Sequence, residues 1–262
     1  VLSQAADPLA PVLERLRELA GFAATDVLRG RLKRVGPLLA RLDPGACALD
    51  DPAWAALLDA VTVQETRLFR AAPQLEAFRA LVLPGLVAAA GARPLLLVSA
   101  GCATGEEAWT LAILAARAGA QAWRVLGLDL CRPALAAAQE ARYHLGPPDA
   151  LREVPEADRA LLVREAACFS PAPALRPRVG FRRANLLVPG LRPGEADAIL
   201  CRNVLIYMTP EARLAVLGGL AAALRPGGAL LLGPTDSPPP GLGLRPAGAD
   251  AVGIWLKAGA GG

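Results

Sequence analysis

The stretch Pro94-Leu-Leu-Leu-Val-Ser-Ala-Gly-Cys-Ala-Thr-Gly-Glu-Glu-Ala-Trp109 does most to limit how this chain can fold. An apolar run from Leu95 to Ala100 passes two glycines, Gly101 and Gly105, and opens into a helical pattern from Ala108 to Ala118. A run with that little polarity belongs to a parallel strand buried on both faces, and the turn behind it delivers the chain into a helix N-terminus. In α/β proteins a nucleotide-like ligand is held at that junction. The unpaired N–H groups of the first helical turn face it, and glycine lets the backbone come close.

The turn is not a dinucleotide fingerprint. Ala103 stands where the middle glycine of Gly-x-Gly-x-x-Gly would be, and the helix begins with Glu106 and Glu107, which repel a pyrophosphate. Two carboxylates suit a ligand with sugar hydroxyls, a positive charge and no phosphate. S-adenosylmethionine, with its ribose and sulfonium, is such a ligand.

From residue 94 onward strand and helix patterns alternate. Leu95–Ala100, Trp123–Leu128, Val179–Phe181, Ala196–Cys201 and Ala229–Gly233 read as strands, and Glu106–Ala118, Pro133–Arg142 and Pro210–Leu224 as helices. This rhythm predicts an α/β fold with a doubly wound, mostly parallel sheet, whose ligands bind at the carboxyl ends of the strands. Glu107, Asp129, Asn185 and Asn203 all fall there. Asp129, at the end of the second strand, is placed to accept hydrogen bonds from ribose hydroxyls.

Residues 7 to 60 read as helices instead. Leu9, Val12, Leu13, Leu16 and Leu19 follow helical spacing, and Gly36-Pro37 breaks a second segment running from Asp26 to Leu42. We therefore expect a small all-helical N-terminal domain with its connector (1–75) and a larger α/β domain (76–262). An inserted subdomain (143–178) interrupts the alternation, and Pro171, Pro173 and Pro177 forbid a long element there. Val252–Leu256 reads as an edge strand.

Composition excludes several classes. Apolar residues make up 54% of the 262, yet no unbroken run approaches the ~18 needed to cross a bilayer. No basic segment followed by a long apolar one opens the chain, so a cytoplasmic protein is expected. Val1 in place of Met, with the Pro/Gly-rich tail, suggests a piece of a longer polypeptide. Cys47, Cys102, Cys131, Cys168 and Cys201 are scattered, with no C-x-x-C spacing, and read as reduced and half-buried. The single histidine, His144, reads as a polar loop residue, and no metal site is expected. A net charge of +4 is too small an excess to suggest nucleic acid.

Three separated segments resemble one family. Gln64-Glu-Thr-Arg-Leu-Phe-Arg70, Ser99-Ala-Gly-Cys-Ala-Thr-Gly-Glu-Glu107 and Cys201-Arg-Asn-Val-Leu-Ile-Tyr207 are similar, in that order, to the motifs of the CheR family. Its members are S-adenosylmethionine-dependent protein-glutamate O-methyltransferases acting on chemotaxis receptors. The resemblance implies a class I, Rossmann-like methyltransferase fold. With the glycine turn at Gly101, it implies a cofactor site of Gln64, Thr66, Arg70, Glu107, Asp129, Leu130, Asn185, Leu186, Asn203 and Val204. Arg70 and Tyr207 are the candidates for orienting an acceptor carboxylate. S-adenosylhomocysteine would be the product, and the partner the cytoplasmic domain of a chemoreceptor, met by a monomer with no membrane insertion.

The chain departs from the family pattern at Gln64 (Asn in the family), Leu68 (Phe), Ala103 (Ser), Trp109 (often Tyr) and Gly233-Pro-Thr-Asp236 (Gly-x-Ser-Glu). The insertion matches the small β-subdomain that, in some members, docks a receptor's C-terminal pentapeptide through a glycine-bearing hairpin. Between Arg164 and Arg178 there is no glycine, so recognition without the pentapeptide is expected, through the basic helix around Arg29 to Arg34. Two other readings stand beside this one: methylation of another protein or a small molecule, and a non-catalytic module that senses the cofactor or its product.

Overall fold

The computed structural model describes residues 7–43, 45 and 48–259, so Cys47 lies outside the described residues. Helix α1 (Ala10–Ala20) buries Leu13, Leu16 and Ala20, one turn apart, and Gly21 ends it in a left-handed conformation. The Thr25 hydroxyl accepts the Leu28 N–H at 3.2 Å and caps α2 (Asp26–Arg34). The expected break falls at Val35, so that Pro37 lies in the first turn of α3 (Gly36–Leu39). Asp51 caps α4 (Pro52–Val61), accepting the N–H groups of Ala53 and Trp54 at 3.0 Å. These four helices close on a core of their own around Leu16, Leu32, Trp54, Leu57 and Leu58.

A connector leads to α5 (Ala72–Ala77). A π-helical turn (Phe78–Val82) then joins it to α6 (Leu83–Ala90), where Pro84 has no N–H to donate. The alternating part follows in order: β1 (Leu95–Ala100), α7 (Glu106–Arg117), β2 (Trp123–Asp129), α8 (Arg132–Glu140), β3 (Tyr143–His144), α9 (Glu156–Arg159), β4 (Leu162–Glu165), β5 (Cys168–Pro171), β6 (Val179–Arg183), β7 (Ala196–Cys201), α10 (Pro210–Ala223), β8 (Leu224–Leu232), β9 (Leu244–Pro246) and β10 (Ile254–Lys257).

Seven strands form the main sheet in the order β6-β2-β1-β7-β8-β10-β9. The first five are parallel, and β10 and β9 are antiparallel additions. The order reverses between β1 and β7, which makes the switch point where the glycine turn sits. Alternate residues of β1 go to opposite cores: Leu95 and Leu97 to the face covered by α6 and α7, Val98 and Ala100 to the face covered by α10. This is the doubly wound sheet expected of a Rossmann-like methyltransferase.

Three features differ from the sequence reading. The tail strand β10 is not an edge. It pairs with β8 on one side and leaves the edge to β9, where Pro246 needs no donor. Pairing of β8 starts at Leu224, and Arg225 to Gly228 bulge between the pairs Ala196–Leu224 and Ala198–Ala229. His144 lies in β3, opposite Cys168, in the separate three-stranded sheet β3-β5-β4 of the insertion. Among the described residues the four cysteines are free and buried, and no helix is long and apolar enough to cross a membrane.

Candidate functional site

At the carboxyl ends of β1, β2 and β7 lies a cavity roofed by the helical part. The α1–α2 loop contributes Phe22, Ala23 and Thr25, and the connector contributes Val63 and Gln64. The sheet side contributes Gly101, Ala103, Asp129, Leu130, Asn185, Leu186, Arg202, Asn203, Val204 and Tyr207. The two halves are stitched by backbone. The Ala23 N–H donates to the Tyr207 carbonyl at 2.9 Å, and the Thr209 N–H to the Gly21 carbonyl at 2.9 Å.

Left-handed backbone clusters around this cavity: Gly101 at φ 83°, Gly105 at 95°, Ala103 at 48° and Asn203 at 59°. For Ala and Asn that conformation costs of order 1–3 kcal/mol and persists only where surrounding contacts hold it. At Ala103 the holding contact is Asp129, whose Oδ2 accepts the Ala103 N–H at 2.8 Å while Oδ1 accepts the Cys131 N–H at 2.9 Å. Burial pushes the Asp129 carboxyl above its ordinary value, against the pull of these N–H groups. Glu106, held by the Thr104 hydroxyl at 2.7 Å, is pushed up by burial as well.

Nine of the residues singled out from sequence come together on the wall: Gln64, Gly101, Asp129, Leu130, Asn185, Leu186, Asn203, Val204 and Tyr207. They do not all offer free polar groups. The Asn185 amide donates to the Leu19 carbonyl at 2.7 Å and accepts the Leu187 N–H at 3.1 Å, so it ties the loop after β6 to the end of α1. Gln64 is the opposite case: its Oε1 is buried on the cavity wall without a hydrogen-bond partner among the described residues. A buried carbonyl left this way costs about 1–3 kcal/mol until something donates to it. That orphan acceptor, on one cavity wall with Asp129 and Asn203, fits a ligand with an amine or hydroxyl to offer, as S-adenosylmethionine has.

Thr66, Arg70 and Glu107 stand outside the wall. Both Glu107 oxygens are engaged: Oε1 accepts from the Ser99 hydroxyl at 2.7 Å and Oε2 from Arg202 Nε at 2.8 Å. Glu107 therefore meets the cavity through Arg202, a wall residue that the sequence reading passed over although it lies inside Cys-Arg-Asn. Arg70 Nη1 donates to the Glu65 carbonyl at 2.8 Å, with the Glu65 carboxylate 3.6 Å away. Phe22, Thr25 and Met208 were missed too, and their short loops carry no sequence signal that marks them as cavity wall.

The insertion touches this site from behind. Tyr143 in β3 donates its hydroxyl to the Thr104 carbonyl at 2.7 Å, and burial raises its phenol far above the ordinary range.

The profile of the family described as "CheR methyltransferase, SAM binding domain" matches residues 64–240. The chain is 30% identical over 216 residues to chemotaxis protein methyltransferase 1 of Pseudomonas aeruginosa, covering 79% of this chain and 76% of that one. It is 29% identical over 202 residues to the chemotaxis protein methyltransferase of Listeria innocua, with 77% and 74% covered. It is 34% identical over 206 residues to the probable biofilm formation methyltransferase WspC of Pseudomonas putida, but there it spans only 46% of the relative's length, against 74% of its own.

Proposed function

The chain belongs to the CheR family of S-adenosylmethionine-dependent methyltransferases, and we propose that its acceptors are glutamate side chains on the cytoplasmic domain of a chemoreceptor, which it converts to methyl esters in chemosensory adaptation. The observation that carries the cofactor end of this reading is the buried, unpartnered Gln64 Oε1 on a wall shared with Gly101, Asp129 and Asn203. In it Asp129 takes the ribose hydroxyls, Gln64 and Asn203 take the adenine edge or the amino-acid end, and Leu130, Leu186 and Val204 supply apolar contact. Glu107 braces the site through Ser99 and the wall residue Arg202, and the family likeness assigns Thr66 to the cofactor as well.

Bound there, S-adenosylmethionine supplies a methyl group on a sulfonium, open to displacement by a carboxylate with S-adenosylhomocysteine as the leaving product. A glutamate with an ordinary pKa of about 4.3 is already ionised at neutral pH, so the chain need only align and desolvate it. Tyr207 suits that task. It lines the cavity, and its hydroxyl has no partner among the described residues. Arg70, whose side chain is 24% exposed and among the described residues is held only by Glu65, is free to swing its guanidinium toward an incoming carboxylate. A loose grip is the useful one, since a tight ion pair also lowers the nucleophilicity of the carboxylate.

The same reading divides the chain into the helical part with its connector (1–75), the methyltransferase part (76–262) and the insertion (143–178). It has the enzyme working in the cytoplasm as a monomer. Separate cores on either side of the connector support the division. Recognition without the receptor pentapeptide is supported by the β4–β5 turn, in which Ala166 takes φ 52° where glycine is expected.

The deciding experiment is methyl transfer to the cytoplasmic domain of a methyl-accepting chemoreceptor, with the label tested for release by alkali and Arg70→Ala as the comparison. Alkali-labile label that falls with Arg70→Ala supports the reading. Base-stable label overturns the acceptor, and failure to bind S-adenosylhomocysteine overturns the cofactor site.

A further inference from the structure

Arg202 is 8% exposed, and its partners come from three separate parts of the chain. Its Nε donates to Glu107 Oε2 at 2.8 Å, and its Nη1 donates to the Arg70 carbonyl at 2.7 Å and to Gln74 Oε1 at 3.3 Å. Glu107 is fixed in turn by the Ser99 hydroxyl at 2.7 Å. A buried ion pair is worth keeping only where its remaining donors and acceptors are satisfied, and this one is satisfied by a strand, a helix and the connector. Its guanidinium is a fork: one prong sits on the floor of the cofactor site, the other on the backbone that presents Arg70.

That backbone needs holding. Phe69 and Ala71, on either side of Arg70, both take left-handed conformations, at φ 55° and 59°. Neither is glycine, so the turn is maintained against the chain's own preference. Two side-chain contacts fix it from outside: Thr110 Oγ1 accepts the Phe69 N–H at 3.0 Å, and Arg202 donates to the Arg70 carbonyl. The Arg70 head, by contrast, is held among the described residues only by Glu65. The position of Arg70 beside the site is thus set through its main chain.

We propose that Arg202 is a positioning residue for methyl transfer: through the Glu107–Arg202–Arg70 carbonyl bridge it locks the strained Phe69–Ala71 turn onto the cofactor floor and so sets where the Arg70 guanidinium meets the acceptor. The inference rests on the proposed role of Arg70. Lysine in its place keeps the charge beside Glu107, but a compact ammonium cannot span Glu107 and the Arg70 carbonyl with the same rigid fork.

The test is Arg202→Lys, alone and combined with Arg70→Ala, assayed for methyl transfer to a chemoreceptor cytoplasmic domain and for S-adenosylhomocysteine binding by calorimetry. Arg202→Lys is expected to lower kcat about tenfold or more, the scale of a misplacement near 1 Å, and to change the Kd for S-adenosylhomocysteine by a smaller factor than kcat. In the Arg70→Ala background it is expected to lower kcat no further. Amide exchange gives a readout independent of turnover: the Phe69–Ala71 amides exchange faster in Arg202→Lys, while those of β1 and β2 do not. Multiplying losses in the double variant, or a loss confined to cofactor affinity, would overturn the proposal, as would unchanged exchange in the turn. An Arg70→Ala enzyme with full activity would instead overturn the role given to Arg70, and the exchange experiment would still decide whether Arg202 locks the turn.

Discussion

Gly101 and Val204 are in contact across the switch point, so closely that a β-carbon on Gly101 would lie 2.3 Å from Val204 Cγ2. The first belongs to the turn after β1 and the second to the segment after β7. The cavity between them closes only because one partner has no side chain. At φ 83° the same residue also sits where a β-carbon is strained.

Gly101→Ala is expected to cost about 1–3 kcal/mol in stability, from the strained φ and the overpacking together. It should also weaken S-adenosylhomocysteine binding by displacing Val204 and Asn203. Adding Val204→Ala removes the clash but leaves the dihedral strain, so the double variant should recover part of the stability and not all of it. Thermal unfolding with and without S-adenosylhomocysteine measures both effects. A Gly101→Ala protein as stable as the wild type would contradict this account of the turn.

Asp129 supplies a pH dependence. Burial raises its pKa in the folded protein, and only the ionised carboxylate accepts ribose hydroxyls with full strength. Affinity for S-adenosylhomocysteine should therefore begin to fall, as pH is lowered, above the ordinary carboxylate range near 4. Proton release on binding should be larger toward the acid end of a pH series than at neutral pH, which calorimetry in buffers of different ionisation enthalpy reads directly. For stability the sign is opposite: the protonated form is favoured on folding, so this contribution is present at low pH and lost as pH rises through the raised pKa. Glu106 shifts the same way but lies off the wall, so Glu106→Gln should keep the proton release.

The sheet and one half of the site were legible because their signals are local. The apolar run of β1, the glycines at 101 and 105 and the carboxylate ending β2 each sit within a few residues of what they do. What could not be read depends on distant partners. Arg202 finds Glu107 95 positions away and the Arg70 carbonyl 132 positions away, and nothing in Cys-Arg-Asn announces either. Glu107 reads as a ligand anchor because an acidic helix start at a glycine turn faces the site; its pairing with the buried Arg202 and Ser99 has no local signal. The tail strand was readable as a strand but not as an inner one, since its place was settled by Leu244 to Pro246 pairing along its outer side.

At the other end of the sheet, Asp197 offers a control for effects on stability alone. It is 2% exposed and accepts from Arg93 Nη1 and from the Leu96 N–H, each at 2.8 Å, tying β7 to the entry of β1. Asp197→Ala leaves the Leu96 N–H unpaired and Arg93 without its partner. With Arg93 one-third exposed, the loss should be about 2 kcal/mol rather than the full value of a broken buried pair. Denaturant unfolding should show it, while the Kd for S-adenosylhomocysteine measured on the folded fraction stays within a factor of two, because this contact lies at the opposite strand ends from the cavity.

The basic helix is less available to a partner than its composition implies. In α2, Arg29 is paired with Asp7, and Arg31 donates to the Thr62 carbonyl at 3.0 Å, bracing the helix against the end of α4. Lys33 and Arg34 remain, exposed and without a hydrogen-bond or ion-pair partner among the described residues. If α2 meets an acidic receptor surface, these two carry the attraction. Lys33→Glu with Arg34→Glu should then raise the KM for the receptor domain about fivefold or more and flatten its dependence on salt. The Kd for S-adenosylhomocysteine should not move, because neither residue lines the cavity. Arg31→Glu gives the contrasting result, a loss of thermal stability, since it removes a brace within the helical part. Equal receptor KM values for the wild type and the double reversal across a salt series would place receptor recognition elsewhere on the surface.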